Sequence, residues 1–166
     1  MQSVFFFQAE DGIRVLVRSR GLGDVYKRQI LRLADWFDIA AVYASPDCVE
    51  LYNPKTVQST MGAILRVPVH YTPLVPLLEG CSLPVTGSVL LGGTDINNTP
   101  LPCEGIIVLG NESQGISREL LQHIPVRLYI PSYRRGSESL NVATAAAIIC
   151  AAFRRNQPPL PMQPDI

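Results

Sequence analysis

A chain of 166 residues with 47% hydrophobic and 17% charged residues carries enough apolar material for one ordinary globular domain. Fourteen Lys and Arg balance fourteen Asp and Glu, so no global field favours nucleic acid, and contacts with an anionic partner have to come from local clusters. No apolar run approaches the roughly 18 residues of a membrane-spanning helix, and the N-terminus lacks a signal peptide's basic start and long apolar core, which excludes a membrane protein from the expectation.

Residues 1–29 read unlike the rest. The aromatic cluster Phe5-Phe6-Phe7 and the basic stretch from Arg18 to Arg28 follow neither helical nor strand periodicity, and the segment has no evident place in a core. Its words FFFQAEDGIR and RSRGLGDVYKRQ resemble translated sequencing-adaptor read-through, so the segment is expected to be non-native and the fold to begin at Ile30. The other reading is a basic arm that touches nucleic acid. Gly21-Leu22-Gly23 starts like a dinucleotide fingerprint, yet the third glycine is missing and no convincing strand precedes it.

From Ile30 onward, compact apolar blocks alternate with Pro, Gly, Asn and Ser, the pattern of an α/β domain. Residues 30–37 predict a helix, with Ile30, Leu33, Ala34 and Phe37 on one face, and residues 41–44 a short buried strand. Asn53-Pro54 starts a helix that runs to Arg66. Strands are then expected at 67–71 and 88–91, the latter closing in Gly92-Gly93, with a short helix at 74–78 between them. Residues 106–109, Ile-Ile-Val-Leu, are the clearest strand, because a continuous branched run suits the centre of a parallel sheet covered on both faces. Ser117 caps a helix through Gln122, residues 126–130 form the next strand, and residues 140–155 a long alanine-rich helix ending in Arg154-Arg155, which suits its own C-terminal dipole. Pro158-Pro159-Leu160-Pro161 cannot continue that helix, so a domain spanning 30–156 is followed by a disordered tail at 157–166.

The cysteines Cys48, Cys81, Cys103 and Cys150 are widely spread, with no C-x-x-C pair and no histidine at ligand spacing. A reduced, cytoplasmic protein with buried thiols and no metal is the simplest reading, with His70 and His123 as isolated surface or core residues. In an open α/β sheet the ligand lies beyond the carboxyl ends of the strands, here the turns after Leu91, Leu109 and Ile130. Gly110 to Gly115 places two glycines around a polar loop with accessible backbone groups, and Ile130-Pro131 to Asn141 is a second polar loop, holding Arg134 and Arg135, that runs into a helix. Taken singly, each loop also reads as an ordinary strand-to-helix connection, with Glu112 and Glu138 solvated and Asn141 a cap.

Three ordered motifs resemble the SpoU (TrmH-like) RNA 2'-O-ribose methyltransferases of the SPOUT superfamily. Ile30-Leu31-Arg32-Leu33-Ala34-Asp35 echoes the end of the family's first motif. Ile107 to Ile116 matches the second, an apolar strand followed by L-G-N-E-x-x-G-[IL], and Ile130-Pro131 with Ser139-Leu140-Asn141-Val142 matches the third. The resemblance implies a parallel sheet flanked by helices with a C-terminal trefoil knot, a homodimer, S-adenosylmethionine as methyl donor and RNA, transfer or ribosomal, as substrate.

By position, the resemblance implies that Gly110, Gly115, Ile130 and Leu140 hold the donor, that Arg32 is catalytic with Glu112, Ser139 and Asn141 organising the site, and that Arg134 and Arg135 contact RNA phosphates. An arginine is a poor general base, so Arg32 is expected to orient the nucleotide and stabilise the developing alkoxide. The bland alternative for Arg32 is an i, i+3 salt bridge with Asp35. The pattern departs at Tyr26, where the first motif carries an asparagine, and a first strand and an N-terminal RNA-binding domain are expected to be missing. That departure keeps a second reading open, a catalytically impaired dimer that binds S-adenosylmethionine or RNA without transferring a methyl group. An unrelated nucleotide-binding α/β protein would need coincidence in all three motifs.

Overall fold

The computed structural model describes residues 12–17, 24–46, 62–111, 114–134 and 139–157. In chain order the elements are β1 (Ile13–Val17), α1 (Asp24–Trp36), β2 (Ala41–Ala44), α2 (Ala63–Arg66), β3 (Val69–Tyr71), α3 (Leu74–Glu79), β4 (Val85–Ser88), β5 (Thr94–Asp95), β6 (Gly105–Leu109), α4 (Arg118–Leu121), β7 (Val126–Tyr129) and α5 (Val142–Arg154). The strands form one seven-stranded sheet in the order β3-β2-β1-β6-β4-β7-β5, parallel at every pairing. Two late strands are inserted between earlier ones, β6 between β1 and β4, and β7 between β4 and β5.

Because side chains alternate along a strand, each central strand feeds both faces of the sheet. Ile13, Val15 and Val17 of β1, Val42 of β2 and Ile107 and Leu109 of β6 pack under α1 and α5, whereas Leu16, Ala41, Tyr43, Ile106 and Val108 point to the other face with Leu74, Leu78 and Leu120. Both faces of β1 and β6 are therefore dry, and all ten of their residues are buried.

The buried β1 overturns the expectation that residues 1–29 have no place in the core and that the first strand is missing. Residues 13–17 are a central strand, in register from Ile13 opposite Gly105 to Val17 opposite Leu109. The signal was present: Ile-Arg-Val-Leu-Val is a five-residue apolar run broken once, like the one that identified β6. Arg14, 8% exposed, is the break, and its guanidinium donates to the Gly12 carbonyl at 3.3 Å. The first helix likewise begins at Asp24 rather than Ile30.

The strand expected at 88–91 is corrected to 85–88. Leu90 and Leu91, read as strand because they are apolar, are 62% and 88% exposed, and the true strand is poorer in large apolar residues, with buried Thr86 and Gly87 at its centre. At Gly87 a Cβ would stand 2.9 Å from the Ile124 side chain, so a helix-flanking residue fills the space a larger residue would take. The two-residue β5 was not foreseen. Strand 41–44, the helix at 74–78 and the strand at 126–130 are present within one residue of expectation. The helix expected to run from Asn53 to Arg66 is corrected at its end: α2 is a separate four-residue helix that starts at Ala63 after Gly62 in the left-handed region at φ 83, while residues 47–61, the tail at 158–166 and the Gly21-Leu22-Gly23 stretch lie outside the described residues.

Arg154 does not simply serve its own helix. Its Nε donates to the carbonyl of Phe37 at 2.8 Å and its Nη2 to that of Asp38, while its Nη1 donates to Gln157. Helix α1 closes with Asp38 at φ 50 and the Ile39 amide donating back to the Ala34 carbonyl at 2.8 Å, a left-handed turn that satisfies the helix's last carbonyls. The C-terminal end of α5 thus caps the C-terminal end of α1 across 117 residues of sequence.

Candidate functional site

Strands β6, β4 and β7 are neighbours, with Gly87 opposite Val108 and Ser88 opposite Leu128, so their carboxyl ends share one edge of the sheet. The chain leaves that edge in three segments, after Leu109, after Ser88 and after Tyr129. These are the turns named from sequence, with the middle one starting at Val89 rather than beyond Leu91.

The loop after β6 is closed on itself. The Asn111 amide donates to the Gly115 carbonyl at 3.0 Å, and the Gly115 amide returns to the Asn111 carbonyl at 2.7 Å. The Asn111 side-chain oxygen accepts from the Gln114 amide at 3.3 Å. The loop excludes a side chain at Gly110 and favours glycine at Gly115. A Cβ at Gly110 would stand 2.3 Å from the Gly115 carbonyl carbon and 2.5 Å from the Ile116 nitrogen, inside the loop's own backbone. Gly115 adopts φ +65, the left-handed region, and a Cβ there would meet nothing within 4 Å, so its outer side is open. Buried Ile116 then anchors the loop against Leu120 and Ile124 on the α4 side of the sheet.

The segment after β7 begins with half-buried Ile130, which packs on the α1–α5 core. The Ser132 hydroxyl donates to the Arg134 carbonyl at 2.9 Å and accepts from the Arg134 amide at 3.3 Å, which leaves the Arg134 side chain in solvent beside Tyr133, 98% exposed. Ser139 is exposed and Leu140 is 45% exposed. The Asn141 side-chain oxygen accepts from the Ala143 amide at 2.9 Å and caps α5, the cap role that its position allowed, with its side-chain NH2 left to donate elsewhere. Glu112, Arg135 and Glu138 lie outside the described residues.

Arg32 sits on the exposed side of α1 and makes no hydrogen bond or ion pair among the described residues, with either loop or with Asp35. The salt bridge weighed as its alternative is taken by another residue: Arg66 Nε and Nη2 donate to the two Asp35 carboxylate oxygens at 2.7 and 2.6 Å. That bidentate contact lowers the Asp35 carboxyl below its ordinary range and raises Arg66. Sequence reasoning also missed Arg154 as the tie between the helices that carry Arg32 and Asn141, because nothing local marks a contact across the whole chain.

Cys81, Cys103 and Cys150 are free thiols, and burial pushes Cys150 up to about 12, so it is inert rather than nucleophilic. His70 stacks on Tyr43 with ring centroids 5.2 Å apart, and His123 stands 3.9 Å from the Glu79 carboxylate. Among the described residues no cluster of three metal-binding side chains occurs, and no helix is long and apolar enough to cross a membrane.

Residues 29–151 match the family model described as the SpoU rRNA Methylase family. The chain is 32% identical over 128 residues to the 23S rRNA (guanosine(2553)-2'-O)-methyltransferase RlmP of Bacillus subtilis, covering 75% of this chain and 51% of that protein. It is 28% identical over 131 residues to the 23S rRNA (guanosine-2'-O-)-methyltransferase RlmB of Neisseria meningitidis, covering 76% of this chain and 52% of that one. The chain therefore spans about half the length of the curated relatives it matches. In three dimensions it superposes on a TrmH-family protein from Porphyromonas gingivalis with a TM-score of 0.80 at 35% identity, covering 89% of this chain and 61% of that one. The SpoU methyltransferase AviRb from Streptomyces viridochromogenes, solved with AdoMet, shares the fold with a TM-score of 0.77 at 24% identity over 90% of this chain and 62% of its own.

Proposed function

The chain belongs to the SpoU rRNA methylase family, and on that premise we propose that it transfers a methyl group from S-adenosylmethionine to a ribose 2'-hydroxyl of ribosomal or transfer RNA. The observation that carries this reading is the self-closed loop from Gly110 to Gly115 at the carboxyl edge of β6, where the family's second motif stands. Its donors and acceptors are backbone groups of fixed geometry, and Gly115 leaves its outer side open. Apolar Ile130 and Leu140 supply the other wall. This combination fits an adenosyl group, which needs hydrogen bonds along a purine edge and an apolar surround rather than a titratable partner.

When bound, S-adenosylmethionine supplies a methyl carbon on a positively charged sulfur. Arg32 addresses the nucleotide, holding the ribose 2'-oxygen or its phosphate and stabilising the negative charge that develops on the oxygen as the new C–O bond forms and the C–S bond breaks, with the hydroxyl proton passing to solvent. Placing oxygen and methyl carbon in line accounts for much of the acceleration. Glu112, Ser139 and the free amide of Asn141 orient the ribose, and Arg134 and Arg135 bind phosphate.

Among the described residues Arg32 touches neither loop, which supports a homodimer in which Arg32 of one subunit serves the donor loops of the other. Exposed Leu140 and Ile148 offer apolar surface for that contact. The late insertion of β6 and β7 between earlier strands supports a trefoil knot made by the C-terminal segment. Of the thiols expected to be buried only Cys150 is, with Cys81 half-buried and Cys103 exposed; that all three are free fits a reducing, cytoplasmic setting.

The test is to incubate the chain with methyl-labelled S-adenosylmethionine and ribosomal or transfer RNA, then hydrolyse the RNA in alkali. A label in alkali-resistant dinucleotides, abolished by Arg32→Ala, is expected, because a 2'-O-methyl blocks cleavage at its own phosphate. Label on a base would overturn the 2'-O assignment. Saturable donor binding with no transfer to any RNA would establish the binding-module reading instead.

A further inference from the structure

Trp36 is the chain's one tryptophan, and 82% of it is exposed at the last position of α1. An indole left in water forgoes a large burial gain, so its surroundings decide what it is for. Residues 29, 32 and 36 fall within about 60° of one another around a helix of 3.6 residues per turn, and Gln29 and Arg32 are exposed like Trp36. Trp36 therefore stands one turn beyond Arg32 on the same free face, about 6 Å along the axis. The inward side of that turn, Leu33 and Phe37, packs into the core and fixes the helix beneath it. The carboxylate between them in sequence, Asp35, is neutralised by both arms of Arg66. On this face of α1 the indole's exposed companions are thus an amide and a cation that makes no ion pair among the described residues.

A single exposed aromatic ring beside a guanidinium and an amide is the arrangement by which proteins hold unpaired bases, stacking the ring on the base face while the cation meets phosphate or ribose. A stable protein–protein interface also uses Trp and Arg, but around a contiguous apolar centre, whereas on its own helix face Trp36 is accompanied by Gln29 and Arg32. We propose that Trp36 is a base-stacking platform: it receives an unpaired nucleobase of the RNA substrate one helical turn from Arg32, and so sets which nucleotide's ribose lies at Arg32. The inference rests on the methyltransferase reading above. The rival occupant is a second copy of this chain, which would cover Trp36.

Because no other residue emits at tryptophan wavelengths, the full chain can be titrated with a single-stranded twelve-residue oligoadenylate while Trp36 fluorescence is followed. Saturable quenching is expected, with S-adenosylmethionine alone leaving the emission unchanged. Followed by the anisotropy of a labelled oligonucleotide, Trp36→Ala should weaken binding by about 5- to 150-fold, the usual worth of a base–aromatic stack. Trp36→Phe should restore most of it, and in methyl transfer the loss should fall on KM rather than kcat. Oligonucleotide binding of unchanged affinity in Trp36→Ala, with methyl transfer intact, overturns the platform and leaves the methyltransferase reading standing. Emission that shifts with protein concentration, together with a Trp36→Ala chain that sediments as a monomer, overturns it in favour of a dimer contact. Absence of RNA binding and of donor binding by the folded chain removes both readings.

Discussion

The two faces of the sheet are covered by different means. On one, α1 and α5, thirteen residues each, lay down Ile30, Leu31 and Ala34 from the first and Val142, Ala143, Ala146, Ile149, Cys150 and Phe153 from the second. On the other, α3 and α4 have six and four residues and contribute Leu74, Leu78 and Leu120. Helices that short cannot stand without packing, whereas the long pair has periodicity of its own. The candidate site straddles this divide. The loop after β6 is anchored through Ile116 into the short-helix face, and the segment after β7 ends in Val142 on the long-helix face. The two walls of the proposed donor pocket are held from opposite sides of the sheet.

If the long-helix face dominates stability, Phe153→Ala should cost about 3–5 kcal/mol, enough to unfold a marginal domain, measured as the fall in urea midpoint at constant slope. Leu120→Ala on the other face should cost about 2–3 kcal/mol, because a four-residue helix can shift to fill part of the cavity. Amide exchange should follow the same order, with α4 opening before α5. Equal losses and equal protection would erase the distinction between the faces.

Smaller effects test how the long pair is joined. Arg154→Ala removes the donors to Phe37 and Asp38 and should cost about 1–2 kcal/mol, loosening the end of α1 and therefore Arg32. Arg154→Lys should recover part of this, since a lysine cannot reach both carbonyls with a planar fork. Asn141→Ala should cost about 1 kcal/mol through the lost cap, and Asn141→Asp should retain it. With Asp the cap persists but the side-chain NH2 is gone, so stability kept and methyl transfer lost would separate Asn141's two roles.

What could be read from sequence follows from the same contrast. Helix α5, strand β6 and the double-glycine loop announce themselves locally, by a 3.6-residue period, a continuous branched run, and a strand ending in Gly110. Helix α1 was legible only on its Ile30 to Phe37 stripe, and its start was hidden by the composition of the segment before it. Strand β1 is masked by the aromatic cluster before it, the basic stretch after it and the read-through words that overlap and follow it, although burial on both faces tolerates one arginine whose guanidinium finds a carbonyl. Strand β4 slid by three residues because exposed Leu90 and Leu91 look more strand-like than Thr86 and Gly87, the glycine being selected by the close approach of Ile124. The partners of Arg154 and Asp35 lie 117 and 31 residues away, where no local pattern reaches.

The Asp35–Arg66 pair should give the smallest effect, and its sign is fixed by the lowered Asp35 carboxyl. A group whose folded-state pKa is depressed adds stability that is present above its ordinary value and is lost as pH falls through the depressed one. Wild type should therefore lose its margin over Asp35→Asn between the ordinary carboxylate range and more acid pH, and the margin at neutral pH should shrink in high salt, because both partners reach solvent. The midpoint shift at pH 7 should be smaller than that of Asn141→Ala. A larger shift would mean that Arg66 does more than pair: it would be holding α2 against α1 beneath Trp36. In that case Asp35→Asn should also disturb Trp36 fluorescence, which a surface ion pair would leave unchanged.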